Sequence, residues 1–346
     1  MEPSESAASR PQLAPRGASV HAAPAEKKPV VGVVVVRNDY PSTEEISKAA
    51  ESGGCVVFSV QKGGEATPPM TPSLGVHVVE SALGSGPGRM RNAGYRVLKK
   101  ELPDIEFVQF LDDGFLLHPG WLDVASKFLQ RRPEVAVAAG GAGSQDARPL
   151  RDGGEVRIVG RSFLIRAEAF EAAGGFRGDL LVNESADLCV RLRRRGAHLW
   201  MLADPMTTAG PASPKSWWAR ARDDGYAFAH GARLHGAPPE RLFVREHISG
   251  VAWGAVAPAL VLMTSAGLGA LFLLRGSPLA ALVASAAALF FGVLLYVARI
   301  AAVGFGRGGD GASWRYALQD TAGQFAEFLG ACRFYLSGVD PRRNAS

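Results

Sequence analysis

Two long uncharged stretches near the carboxyl terminus constrain the fold of this chain more than any other feature. Residues 251–274 and 279–298 contain no charged side chain. Each stretch is long enough to cross the ~30 Å hydrocarbon core of a bilayer as a helix. Because only Arg275 to Pro278 separate them, we predict a transmembrane hairpin over residues 251–303. The alternative is a helical hairpin buried in a soluble core.

The arginines around this hairpin predict its orientation. Arg241 and Arg245 precede it, Arg299 and Arg307 lie at its far end, and the connecting loop carries only Arg275. Positively charged residues favour the cytoplasmic side of a membrane. We therefore predict that both chain termini and the domain before the hairpin lie on the cytoplasmic side of a bacterial-type inner (plasma) membrane.

The composition of the chain excludes several classes of protein. With 47% hydrophobic and 21% charged residues, the chain is too apolar to be disordered and too charged to be a membrane bundle alone. Its three cysteines lie far apart without metal-ligand spacing, which argues against a disulfide framework and a structural zinc site. Residues 1–28 are rich in Ala, Pro and Ser and predict a disordered tail without a secretory signal.

Short apolar runs alternate with helical segments between residues 29 and 215. The first run, 30–36, is almost entirely valine, which is typical of a strand buried on both faces of a parallel sheet. The alternation predicts an α/β domain over 29–215 with a mostly parallel sheet. Predicted strands cover residues 30–36, 55–60, 76–79, 106–111, 135–139 and 156–165, and predicted helices cover 42–51, 88–100, 119–131, 167–173 and 184–195.

Two further segments flank the predicted hairpin. Residues 216–250 are rich in Trp, Arg and His, and residues 304–346 place large apolar side chains near helical spacing. We predict an interfacial helical segment and an amphipathic carboxyl-terminal helix at the bilayer surface. Amphipathic helices packed on the globular domain are the alternative. Because these basic and Trp-rich residues lie next to two predicted transmembrane helices, they favour membrane lipids over nucleic acid as a partner.

Two adjacent carboxylates, Asp112 and Asp113, follow the predicted fourth strand. Ligands of open α/β sheets gather at the carboxyl ends of strands, where carboxylates can hold Mg²⁺ or Mn²⁺ against a diphosphate. An aspartate that caps a turn is the alternative. Upstream, a glycine-rich turn leads into a helix carrying Arg89 and Arg91, and such groups favour phosphate.

A later predicted helix begins with a second pair of carboxylates. Glu184 and Asp187 are three residues apart and so share one helix face. A carboxylate in this place suits a general base. The alternative is that both only complement the helix dipole.

Five short motifs follow one another along residues 30–210. They are Arg91-Asn92-x-Gly94, Gln109-Phe-Leu-Asp112, Pro119-Gly-Trp-Leu122, Gly174-Gly-Phe176 and Glu184-x-x-Asp187-Leu-Cys-x-Arg-Leu-Arg. Their order and spacing resemble family 2 glycosyltransferases of the GT-A fold. The stretch 217–253 resembles membrane-associated bacterial members of that family.

This resemblance implies an inverting transfer of a sugar from a nucleotide-sugar donor to an acceptor hydroxyl. In the family, an Asp-x-Asp motif after the fourth strand positions the ribose and a metal–diphosphate, and an acid on the later helix deprotonates the acceptor. Matched by position, Asp187 is the catalytic base, Asp112 is a ligand of a divalent cation (Mg or Mn), and Glu184 lies on the acceptor side. The donor-binding residues are Arg37, Arg91, Asn92, Asp112 and Asp113.

The Asp-x-Asp motif of this chain is degenerate, because Gly114 stands in place of its second acid. The family's processive synthases carry Gln-x-x-Arg-Trp near the membrane, and Lys215 to Arg220 does not match it. We therefore predict the addition of a single sugar to a lipid-linked or cell-envelope glycan acceptor. The alternative is a catalytically inactive scaffold or regulator in a polysaccharide-synthesis complex.

Overall fold

One mixed sheet organises the amino-terminal part of the molecule. The computed structural model describes residues 29–37, 39–46, 54–61, 75–113, 115–142, 153–208 and 216–337, so the predicted tail 1–28 lies outside the described residues. The strands follow the order β3-β2-β1-β4-β8-β6-β9-β5, with β7 paired to β9. Their bounds are β1 Val31–Arg37, β2 Cys55–Gln61, β3 Val76–Ser81, β4 Phe107–Leu111, β5 Leu116–Leu117, β6 Val135–Ala142, β7 Gly154–Glu155, β8 Phe163–Arg166 and β9 His198–Thr208.

The first four strands of the sheet run parallel. β1 pairs with both β2 and β4, and β2 pairs with β3, all in parallel register. Val34, Val57 and Phe110 on these strands are completely buried, as expected for strands covered on both faces. β8 is antiparallel to β4 and β6, whereas β6 and β9 are parallel. The predicted α/β fold with a mostly parallel sheet is confirmed.

Four helices pack on this sheet close to where the sequence predicts them. They are α1 Pro87–Glu101, α2 Trp121–Arg131, α3 Ala167–Ala172 and α4 Glu184–Arg194. α1 buries Met90, Tyr95 and Leu98 at the three- and four-residue spacing of one helix face. The predicted helix 42–51 lies partly outside the described residues.

The strand predicted over 156–165 is wrong in its first seven residues. β8 begins only at Phe163, because the preceding chain crosses the carboxyl end of β4 as a loop. There the Ser162 hydroxyl accepts a hydrogen bond from the Asp112 N–H at 3.1 Å. Strand β9 was not predicted, since its sequence HLWMLADPMTT mixes polar residues and a proline into the apolar run.

The carboxyl-terminal part is helical. Its elements are α5 Trp217–His235, α6 Val244–Val251, a π-helical turn Ala252–Val256, α7 Ala257–Leu274, α8 Pro278–Gly306 and α9 Gly311–Leu336. Two continuous helices, Val244–Leu274 and Pro278–Gly306, are long and apolar enough to cross a membrane, and only 11% of the most apolar stretch of each is buried. A hairpin forming a soluble core would bury most of these side chains.

Helices α5 and α9 pack closely through small residues. A Cβ on Gly225 would lie 2.0 Å from the Glu327 carbonyl oxygen, and one on Gly330 would lie 1.9 Å from that of Arg222. Larger apolar side chains of α9, such as Leu318 and Leu329, are exposed. The placement of this helix at the bilayer surface stays a prediction. The face of α9 that packs on α5 carries glycine because a Cβ there would clash with the neighbouring backbone.

Candidate active site

A cavity of about 1830 Å³ opens where β1 and β4 end. Its wall combines strand ends of the α/β domain with the start of α4 and one face of α5. Among the predicted site residues, those that line the cavity are Arg37, Asp112, Asp113 and Glu184. The other three, Arg91, Asn92 and Asp187, are not among its lining residues.

Asp112 and Asp113 both face this cavity because the chain turns directly after β4. The N–H of Phe115 donates to the Asp112 carbonyl at 3.4 Å, which marks the turn. On a continuing strand, neighbouring side chains would point to opposite faces of the sheet. The turn therefore allows both carboxylates to act on one ligand, while Gly114 lies outside the described residues.

Two arginines hold the Asp112 carboxylate. Its Oδ1 lies 3.2 Å from Arg91 Nη2, and its Oδ2 lies 3.1 Å from Arg161 Nε. The Arg91 side chain is completely buried, whereas that of Arg161 is 65% exposed. Arg91 therefore contacts Asp112 from the protein interior, and Arg161 contacts it from the cavity side. Arg161 was not among the residues predicted from the sequence.

Arg91 also holds the start of helix α4. Its Nη1 lies 2.6 Å from Glu184 Oε1, and the Glu184 side chain is 3% exposed. The guanidinium carbon lies 5.4 Å from the centre of the Phe176 ring. A buried charge is costly unless it is paired, so this single cation fixes the carboxylates of β4 and α4 relative to each other.

Arg37 and Asp113 form a second charged pair at the strand ends. Arg37 Nε lies 3.3 Å from Asp113 Oδ1, and its Nη1 pairs with Glu45. The two residues meet because β1 and β4 are neighbouring parallel strands, whose carboxyl ends share one edge of the sheet. Arg37 is half-buried and offers a guanidinium to an anion in the cavity.

Asn92 is engaged with the backbone instead of the cavity. Its Nδ2 donates to the Phe176 carbonyl at 2.7 Å, and the Phe176 N–H donates to its Oδ1 at 3.0 Å. Asn92 thereby fixes the loop that supports the ring beneath Arg91. In this structure it supports the site without lining it.

Asp187 lies behind the cavity wall, between α4 and α5. It is 1% exposed, with His235 Nε2 2.9 Å from its Oδ1 and Arg191 Nε 2.8 Å from its Oδ2. Burial alone would raise its pKa, but the hydrogen bond from His235 and the charge of Arg191 hold the pKa below its usual range. Helix α4 therefore presents Glu184 to the cavity and Asp187 to α5.

Helix α5 adds a polar face that the sequence reasoning missed. Arg220, Asp223, Asp224 and Ala227 all line the cavity. Their spacing of three, four and seven residues is that of one helix face. This spacing was the available signal, but only the folded chain shows that the face turns toward Asp112 and Glu184 instead of toward lipid.

Comparisons with known proteins bear on this architecture. No protein-family model and no curated protein matches the chain. Its structure is similar to that of the mannosyltransferase PcManGT from Pyrobaculum calidifontis in complex with GDP-Man and Mn²⁺, with a TM-score of 0.54 and 19% identity over 90% of this chain and 89% of the other. The chain has a glycosyltransferase fold. Residues 1–349 of TarS from S. aureus match with a TM-score of 0.44 and 13% identity, over 89% of this chain and 91% of the other.

The acids at the strand ends of this glycosyltransferase fold can be tested for their fit to a divalent cation. No group of three His, Cys, Asp or Glu residues suited to a metal occurs among the described residues. The described cavity lining carries eight carboxylates and three arginines, an excess that repels a free diphosphate. Magnesium is commonly held by one or two carboxylates together with substrate phosphates. Asp112 and Asp113 fit a cation that enters with a diphosphate, and they do not form a complete protein cage.

Proposed function

We propose that the protein is an inverting glycosyltransferase that moves a single sugar from a nucleotide-diphosphate donor to a lipid-linked or cell-envelope glycan acceptor. The observation that carries this proposal is the position of Arg91. This buried cation joins the strand-end carboxylate Asp112 to the helix carboxylate Glu184 at one cavity of a glycosyltransferase fold. In this proposal, Asp112 acts on the donor and Glu184 acts on the acceptor at one reacting centre.

The donor diphosphate is held at the carboxyl ends of β1 and β4. Arg37 and Arg161 present guanidinium groups there, and Asp112 and Asp113 present carboxylates. A divalent cation bound with the donor neutralises charge that develops on the departing nucleoside diphosphate. Arg91 and Asn92 act one layer further back, where they keep Asp112 and the supporting loop in place.

The acceptor hydroxyl attacks the anomeric carbon from the side opposite the leaving diphosphate, which inverts the configuration at that carbon. Glu184 is the α4 carboxylate that lines the cavity, and it contacts the acceptor. The prediction that Asp187 removes the hydroxyl proton remains a prediction. Its carboxylate is occupied by His235 and Arg191, which suits a residue that positions α4 against α5.

The apolar hairpin anchors this site to a membrane. The exposed side chains along Val244–Leu274 and Pro278–Gly306 match a lipid environment, because contact with water would be costly over so large an area. Helix α6 precedes the hairpin, and α9, which follows it, packs on α5, whose other face lines the cavity. The α/β domain and both termini then lie on the side that carries Arg245 and Arg307, the cytoplasmic side. A lipid-linked acceptor would therefore be presented directly to the cavity.

The test is a transfer assay with the purified full chain in lipid nanodiscs. A panel of nucleotide-sugars is offered with lipid-linked and glycan acceptors, in the presence of Mn²⁺ or Mg²⁺. We expect transfer from at least one donor, a large loss with Asp112→Asn, and little change with Asp104→Asn, an exposed carboxylate outside the cavity lining. The inactive-scaffold alternative predicts no transfer for any combination, and that result would overturn the proposal.

A further inference from the structure

Helix α5 brings the carboxylate of Asp224 into the cavity, and none of the five family-like motifs contains this residue. Asp224 lies on the face formed by Arg220, Asp223 and Ala227. The opposite face of α5 is fixed by the close packing of Gly225 on Glu327 of α9. The α5 backbone is also tied to the start of α4, because Asn183 Nδ2 donates to the Ala227 carbonyl at 2.6 Å. Asp224 therefore lies on a helix that is held by α9 and by the start of α4.

The other carboxylates near the start of α4 are engaged in ion pairs. Glu184 pairs with a buried arginine at 2.6 Å. Asp187 is enclosed by His235 and Arg191 and does not line the cavity. The side chain of Asp224 is exposed and lines the cavity.

The charges around Asp224 favour proton uptake. Partial burial and the charge of the neighbouring Asp223 raise the pKa of Asp224 above its usual value. The charges of Arg220 and Arg161 oppose this rise. Glu327 on α9 is close enough to Asp224 for the two carboxylates to repel each other. Arg161 contacts Asp112 at 3.1 Å, so one guanidinium lies within electrostatic range of both the donor-side carboxylate and Asp224.

We propose that Asp224, in place of the sequence-predicted Asp187, is the general base that deprotonates the acceptor hydroxyl. The inference rests on the proposed sugar transfer and names its proton acceptor. The hydroxyl proton passes to the Asp224 carboxylate as the oxygen forms its bond to the anomeric carbon. The bond from that carbon to the diphosphate oxygen breaks, and its electron pair leaves on the nucleoside diphosphate. Atoms and charges balance without any further reactant.

The experiment measures kcat against pH for the full chain in nanodiscs, with the donor and acceptor that the wild-type protein uses. Asp224→Asn should lower kcat by about 10²- to 10⁴-fold, the usual contribution of a general base, and should abolish the loss of rate on the acid side of the pH profile. Donor binding measured by calorimetry should stay within about twofold of wild type. Asp224→Glu should recover part of kcat, and Asp104→Asn, at an exposed position outside the cavity lining, should resemble wild type.

Each outcome separates this inference from the proposed function. If the wild-type chain transfers sugar and Asp224→Asn matches its kcat and pH profile, the base assignment is overturned and the transferase proposal stands. If Asp224→Asn loses donor binding together with kcat, Asp224 supports the donor site and the assignment also fails. A wild-type chain that transfers nothing and binds no donor overturns both proposals.

Discussion

Arg91 and Glu184 meet at 2.6 Å although 93 residues separate them in the chain. The contact joins the first turn of α4 to helix α1, and through the same guanidinium to Asp112 at the end of β4. Contacts between residues far apart in the sequence fix the geometry of this buried site. The local secondary-structure preferences of the chain could not fix it.

Replacement of Arg91 by Met should leave two carboxylates without their buried partner. Removal of one member of a buried ion pair costs ~3–5 kcal/mol, so the melting temperature should fall by several degrees and amide exchange at the start of α4 should accelerate. Arg89→Met is the matched control, because Arg89 only donates to the Gly178 carbonyl on the exposed surface at 2.7 Å. Equal stability of the two variants would show that the Arg91 bridge does not organise the site.

The contact between α5 and α9 predicts opposite effects for two glycines on one helix. Gly330→Ala places a methyl group 1.9 Å from the Arg222 carbonyl oxygen, and such overpacking costs ~1–3 kcal/mol. Gly323→Ala meets its nearest atom, the Ala221 Cβ, at 3.6 Å, an ordinary contact. It should be neutral or stabilise the helix by up to ~1 kcal/mol. Thermal unfolding of both variants in the same detergent compares them, and a tolerated Gly330→Ala would contradict the described packing.

Glu327 predicts how the stability of this helical contact depends on pH. Burial, with the charges of Asp320 and Asp224, raises its pKa from 4.5 to about 7. The folded chain then binds more protons than the unfolded chain between these values, so stability decreases as pH rises through this window, by roughly 3 kcal/mol in all. Glu327→Gln should remove that decrease, seen as a smaller change in melting temperature between pH 4.5 and 8.

The exposed Glu246 of α6 provides the control for this titration. Glu246→Gln should retain the pH dependence of the wild-type protein. A Glu327→Gln variant that loses stability with pH as steeply as wild type would assign the effect to another group.

The sheet could be predicted from sequence because its signals are local. The valine run of β1 and the apolar spacing of α1 each act within a few residues. The loop over residues 156–162 could not be predicted, since its conformation depends on a hydrogen bond between Ser162 and Asp112, 50 residues away. Its apolar residues follow a strand-like pattern although they cross a strand end.

The candidate site was predictable in its residue types and less so in their roles. Asp112, Asp113 and Glu184 reach the cavity as predicted, while Asp187 turns toward α5 because His235 and Arg191 enclose it. A spacing of three residues places two side chains near one face, but it does not say which of them a neighbouring helix covers. The contribution of Asp224 depends on how α5 folds back, which no motif in the α/β domain encodes.

Calorimetry of donor binding to the full chain in nanodiscs tests whether the cavity at the ends of β1 and β4 holds a nucleotide-sugar. We expect that at least one UDP- or GDP-sugar binds, that Mn²⁺ strengthens binding, and that Asp112→Asn weakens it at least about tenfold, or ~1.4 kcal/mol. Asp104→Asn, outside the cavity lining, should bind like wild type. If no nucleotide-sugar binds with or without Mn²⁺, or if Asp112→Asn binds the donor as tightly as wild type, the cavity at the ends of β1 and β4 is not the donor site of a sugar transferase.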